Sequence, residues 1–258
     1  MSGRLLALVL SLALGLVGLG CSPAAACATQ DDGCLRVLFV GNSYTQVNDL
    51  PGTFAALARA GGHKVEVGIA AEGGQTLSGH TTSANTQSQL AGRWDVVVLQ
   101  EQSQFPSVAW SRDNEMAPAA RTLVDKIRAA GARPLLFSTW AHRDGWPEQA
   151  LTQASMQAAI DAAYLSIGGQ LGVGVVPVGE AWTAALAAEP GVALWQDDGS
   201  HPTAAGTYLA AAVFYAALFG DDPVAAGKGS GAPSVDGGPA LAAIARDLVA
   251  DRARWGLD

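Results

Sequence analysis

Residues 35–54 read LRVLFVGNSYTQVNDLPGTF, and the parsing of this stretch decides the fold. The short apolar run Arg36–Val40, with its Val and Phe, has the pattern of a buried strand. It stops on Gly41, Asn42 and Ser43, residues that supply special backbone angles and local hydrogen bonds. From Leu50 to Ala60 apolar residues recur at helical spacing, and Gly61-Gly62 ends the run. Strand, sharp turn and helix make the opening of a βαβ unit. The turn itself has two readings: it merely ends the strand, or it presents Ser43 as a nucleophile.

Outward from this stretch the alternation continues. His63–Ala70 alternates as a second strand, and Asp95–Gln100 (DVVVLQ), Pro134–Thr139 and Gly172–Val178 add three more. Helical patterns fall at Asn114–Ala130, Gln149–Leu171, Val178–Ala188 and Thr203–Phe219. An amphipathic helix over Ala240–Trp255 follows the Gly/Ser/Pro-rich segment Gly227–Pro239, which reads as a linker. Residues 71–94 are rich in Gly, Ser, Thr, Gln and Asn and read as a long polar loop with room for a helical turn. Near-continuous apolar strands separated by helices predict an α/β fold, a mostly parallel sheet covered on both faces. Ligands of such open sheets sit at the carboxyl ends of the strands. That rule gathers Ser43, Gln100–Ser103 and the loop after Ala70 along one edge.

Apolar residues make up 49% of the 258 and charged residues 15%, so one globular domain with a substantial core is expected. The net charge of −8 and the lack of any basic cluster argue against nucleic acid as a partner. The N-terminus stands apart: Arg4, the apolar run Leu5–Leu19, then Gly20-Cys21-Ser22 form the layout of an export signal, too short for a spanning helix. Residues 1–20 read as a signal peptide, 21–34 as a tether and 35–258 as the domain. LGC resembles a bacterial lipobox, which would make Cys21 a lipidation site, the only membrane link, and the protein a cell-envelope lipoprotein. Cleavage at Ala24–Ala26, giving a secreted or periplasmic soluble protein, is the alternative. Of the three cysteines, Cys27 and Cys34 then remain as a pair able to close a short disulfide loop. No CxxC occurs, and no metal site is expected; Asp113 and Glu115 read as the acidic first turn of a helix.

An exposed serine needs a base. Of the four histidines, His201 stands in WQDDGSHPTAAGTYLAA, with Asp198 three residues before it and a helix after it. A carboxylate at that spacing can fold back onto the imidazole, fix its tautomer and stabilise its protonated form; the neighbouring Asp197 is the competitor. With these pieces in place the chain resembles the SGNH (GDSL-like) hydrolase superfamily. VGNSYT is similar to its first block, with Ser43 as nucleophile and Asn42 where many members carry Asp. EGGQTL is similar to its second block, in which Gly74 would lend an amide to the oxyanion. DGSHPT is similar to its last block and supplies Asp198 and His201. The family's third block, Gly-x-Asn-Asp, is absent: here the strand runs into VVVLQEQSQ. The resemblance therefore points to a subset with Gln in place of that Asn. Gln102, just beyond the strand end, is the first choice as side-chain oxyanion donor and Gln100 the alternate. The fold implied is the flavodoxin-like three-layer α/β/α sandwich of these hydrolases.

The expected activity is a serine esterase that removes a short acyl group, acetyl foremost, from a small-molecule or carbohydrate ester without a cofactor. A lipase or thioesterase, or an acyltransferase, would use the same triad, and a glycan-binding lipoprotein that lost activity is the alternative outside enzymes. His142, in STWAHRDGWP, is a candidate to bind substrate, against the simpler reading of a loop histidine. Trp140 and Trp146 are candidates for a sugar-stacking wall, against the simpler reading of core residues. His63 and His80 read as surface residues. The oligomeric state is open.

Overall fold

The computed structural model describes Cys27 and residues 33–258. The signal-peptide and lipobox readings, Cys21 included, lie outside the described residues. A five-stranded sheet in the order β2-β1-β3-β4-β5 forms the centre. Its strands are β1 (Cys34–Gly41), β2 (Lys64–Ala71), β3 (Val96–Leu99), β4 (Arg133–Ser138) and β5 (Gly174–Pro177), and all four pairings are parallel. Parallel neighbours require crossovers, and helices supply them: α1 (Ser43–Gln46), α2 (Leu50–Ala60), α3 (Leu77–His80), α4 (Ala84–Leu90), α5 (Ala109–Ser111), α6 (Ala117–Ala129) and α7 (Gln153–Leu171); α8 (Val178–Ala188), α9 (Ala204–Phe219), α10 (Pro223–Ala226) and α11 (Gly238–Val249) follow the last strand.

Successive strand side chains point to opposite faces, so a strand covered on both sides must be apolar throughout. In β1, Val37 and Phe39 enter one core with α2, α8, α9 and α11, while Leu38 and Val40 enter the other with α6 and α7. Helix α9 is buried almost all round, from Gly206 to Ala217, which suits a helix wedged between the sheet and outer helices. Thr203 caps its start by accepting from Gly206 N, and Gly220 in the left-handed conformation ends it.

Three segments take a more definite form than the sequence gives them. The polar stretch 71–94 holds two short helices, α3 and α4, capped by Thr76 and Ser83. Asp113 and Glu115 fall in the acidic first turn of a helix, as expected; that turn, Arg112–Met116, is π-helical and precedes α6, and Asp113 pairs with Arg112 at 2.7 Å. The segment Gly227–Pro239 packs on the body of the domain. Gly229 packs so closely on the Ala60 carbonyl that a Cβ would clash, and α11 starts at Gly238, inside the expected linker.

The sheet also sets the place of the site. The chain leaves β1 outward to β2 and then crosses back to β3, so the direction of winding reverses between β1 and β3. Loops diverge there and leave a crevice at the carboxyl ends of the strands. Ser43 follows β1, and Gln100–Ser103 follow β3, on the two sides of that crevice.

Candidate active site

The turn after β1 is shaped from below. Gln100 is fully buried, and its Oε1 accepts from Asn42 N at 3.0 Å and from Thr45 Oγ1 at 2.9 Å. A Cβ on residue 41 would collide with that same Gln100 oxygen, so Gly41 is required by the approach of Gln100 from the neighbouring strand. Asn42 caps α1: its Oδ1 accepts from Tyr44 N at 3.1 Å, and its Nδ2 donates to the Gln75 carbonyl at 2.9 Å. A carboxylate could do the first but not the second, which gives a physical reason for amide here in place of acid. Ser43 is thereby set at the first position of α1. Its N–H, like that of Gly74, meets no protein acceptor among the described residues. Gly74 is exposed, and its φ of 71° falls in the left-handed region that favours glycine.

Asp198, Ser200 and His201 lie on a loop whose ends are pinned by Gln196 N to His201 O (2.8 Å) and Thr203 N to Leu194 O (2.8 Å). Asp198 Oδ1 accepts from the backbone N–H of Ser200 and His201, and its Oδ2 stands 2.5 Å from His201 Nδ1. Nδ1 facing a carboxylate carries the proton, which leaves Nε2 to accept from Ser43 Oγ at 2.9 Å. The hydrogen bond to His201, aided by the two backbone donors against a small burial effect, holds the Asp198 carboxyl down at about 2. The structure thus brings Ser43, His201 and Asp198 into one hydrogen-bonded chain. Asp197 stays exposed outside it.

The His201 loop is tied to the Ser43 turn. Asn48 Nδ2 donates to Pro202 O at 2.9 Å, and Tyr44 OH lies 2.8 Å from Ser200 Oγ. Trp140 Nε1 donates to Ser200 O at 2.9 Å. Trp140 is wholly buried, stacked between Tyr44 and Trp182. It therefore cannot be a sugar-stacking wall; it is the floor on which Tyr44 rests. Trp146 is half-buried against the second core and is likewise occupied with packing.

His142 is drawn into the site. Its Nε2 lies 3.0 Å from Ser103 Oγ and 3.2 Å from Ser200 Oγ. Burial holds its pKa below the usual value, so a neutral ring faces the two hydroxyls. Gln102 folds over its own loop: Oε1 accepts from Gln104 N (2.8 Å) and Phe105 N (3.2 Å), while Nε2 points to Ser103 Oγ (3.3 Å). Its carbonyl end is fixed, which turns the amide toward Ser103, whose hydroxyl also meets His142. The Gln100 amide, by contrast, donates to the Glu101 carbonyl beneath the turn.

The sequence reading missed two buried groups. His80 is not a surface residue: it is fully buried, with Nε2 2.8 Å from Gly41 O and Nδ1 2.7 Å from Thr86 Oγ1. Glu101 is also sealed from solvent. Cys27 and Cys34 are joined as a disulfide, with Cα atoms 5.7 Å apart. Among the described residues no group of three or more His, Cys, Asp or Glu could hold a metal, and no helix is long and apolar enough to cross a membrane.

No protein-family model and no curated protein matches the chain. Solved structures do. A protein described as an SGNH hydrolase, from Slackia heliotrinireducens, is 31% identical, with 70% of this chain and 97% of that one covered and a TM-score of 0.61. A DUF4886 family protein from Bacteroides uniformis shares 20% identity over 84% of this chain and 95% of its own, with a TM-score of 0.71. A catalytic mutant of an acetylxylan esterase from Geobacillus stearothermophilus is 16% identical, with 67% and 89% covered and a TM-score of 0.52. The last two are likenesses of fold.

Proposed function

The chain belongs to the SGNH hydrolase superfamily, and from that premise we propose that it is a serine esterase for short acyl esters, acetyl foremost, carried on a carbohydrate or similar polyol. The observation that carries the reading is the unbroken chain from Asp198 through His201 to Ser43, at 2.5 and 2.9 Å. In the proposed mechanism Ser43 Oγ attacks the ester carbonyl carbon and passes its proton to His201 Nε2. Asp198 stabilises the imidazolium so formed. The tetrahedral oxyanion is held by the N–H groups of Ser43 and Gly74 and by Gln102 Nε2, the amide standing in for the absent Asn. One such donor is worth about 3 kcal/mol of barrier. As the carbon–oxygen bond to the alcohol breaks, His201 returns the proton to the leaving oxygen. Water, deprotonated by the same imidazole, then frees the acyl group from Ser43.

The substrate assignment rests on polarity. Ser103 and Ser200 bring two hydroxyls to His142 beside the catalytic loop, and the stretch 71–94 is rich in polar residues, which favours a small acyl group and a hydroxylated alcohol. His142 is assigned to that alcohol. The acetylxylan esterase among the matched folds acts in the same direction as support, by analogy. Export to the cell envelope with Cys21 as lipid anchor completes the proposal, and Cys21→Ala should release the protein from membranes or leave its precursor uncut. The central test is hydrolysis of p-nitrophenyl esters of rising chain length and of acetylated oligosaccharides. Wild type is expected to prefer acetate, and Ser43→Ala to be inactive while folded. A serine-directed phosphonate should label Ser43; labelling elsewhere, or an active Ser43→Ala, refutes the assignment.

A further inference from the structure

Glu101 is a carboxyl sealed from solvent where β3 ends. Its Oε1 accepts from two backbone N–H groups in different segments: Leu77, the first residue of α3, at 3.1 Å, and Gln102 at 2.6 Å. Its own N–H donates to the Tyr164 hydroxyl of α7 at 3.0 Å. Oε2 has no partner among the described residues. A buried carboxyl oxygen without a donor is costly, so filling space does not account for an acid at this position; a leucine would fill it without that cost. What the acid adds is one acceptor shared by two segments. The first carries Gly74, three residues before Leu77, and the second carries the Gln102 amide.

We propose that Glu101 is a positioning residue that holds the Gly74 loop and Gln102 in register, so that their donors converge on one oxyanion. The proposal rests on the oxyanion assignment above. Oxyanion donors work only when already aimed at the developing charge, and a displacement of about 1 Å in a reacting geometry costs on the order of a hundredfold. Burial first, and the charge of Glu115 in the π-helical turn, push the Glu101 carboxyl up to about 7 against the pull of the two N–H groups. The other titratable group against it is Tyr164, whose hydroxyl burial keeps neutral. Above that pH the ionised carboxyl accepts more strongly, so the clamp tightens as pH rises through it.

The test compares Glu101→Leu and Glu101→Gln in the whole chain, with Ser43→Ala alongside, on p-nitrophenyl acetate. Glu101→Leu is expected to lose about tenfold to a hundredfold in kcat with KM within about threefold. Glu101→Gln, which keeps the acceptor oxygen, should recover most of that loss. Wild-type kcat in folded Glu101→Leu, or a folded Glu101→Gln as impaired as Glu101→Leu, overturns the proposal; where Glu101→Leu does not fold, Glu101→Gln decides alone, and a loss of about a hundredfold in its kcat overturns the proposal. An active Ser43→Ala instead overturns the esterase reading beneath it, whereas an inactive Ser43→Ala beside an unimpaired Glu101→Leu overturns the proposal only.

Discussion

Gln100 and Gln102 share a residue type and a strand end, yet the structure gives them different work. Gln102 has its carbonyl end fixed by two backbone donors and its amide turned to the site. Gln102→Ala should therefore lower kcat by about 10²–10³ with little change in KM, the signature of a bond made mainly in the transition state. Gln100 instead satisfies Asn42 N and Thr45 Oγ1 under the nucleophile turn. Gln100→Ala leaves those buried donors unpaired and should cost about 1–3 kcal/mol of stability, read from urea midpoints. A stable Gln100→Ala with a large kcat defect would reverse the two roles. At this scale the sequence was legible for Ser43, Asp198 and His201, because a strand-end turn and an i, i+3 pair are local signals. It was silent on Glu101 and misread His80 as a surface residue, because their partners Leu77 and Gly41 lie 24 and 39 residues away along the chain.

Among the elements, strand positions were readable because parallel strands buried on both faces must be apolar throughout. Helices α2 and α8 begin and end where the apolar spacing and the flanking residues place them. The stretch 71–94 was not readable: α3 and α4 are short, polar and held by outside contacts. His80 is the chief of these, bridging the Gly41 carbonyl at the end of β1 to Thr86 in α4. His80→Phe keeps the bulk and removes both bonds, and a loss of roughly 2–4 kcal/mol is expected. Burial also lowers the His80 pKa below its unfolded value of 6.5. The unfolded chain then takes up the proton first, so this stability is intact above about pH 6.5 and lost as pH falls below it. His80→Phe should show a weaker loss over that acid range than wild type; an equal loss would mean that His80 does not titrate in unfolding.

On the scale of the whole molecule, the opposite sign comes from Asp161 in α7. Burial raises its carboxyl to about 6, although Gln157 and Ser138 donate to Oδ1 at 3.0 and 3.1 Å. Its folded-state pKa lies above the unfolded 3.8, so the native state binds the proton more tightly and stability falls as pH rises from about 4 to 6. Asp161→Asn should remove that decline, and thermal melts at pH 4 and pH 8 should differ less in the variant than in wild type. The gain at pH 8 is on the order of 2 kcal/mol. A variant that melts lower at both pH values by the same amount would show that the carboxyl is ionised throughout and serves its two donors.

The place of β1 has a mechanical meaning. Tension on the chain from its N-terminal side enters at Cys34, the first residue of a strand hydrogen-bonded on both edges, to β2 and to β3. A pull along that strand loads the two ladders in shear, so their bonds must give way together instead of peeling one by one. Ser43 stands just past the far end of β1. The strand that would take up a tug from that side thus also carries the nucleophile, and its two neighbours brace it against sliding.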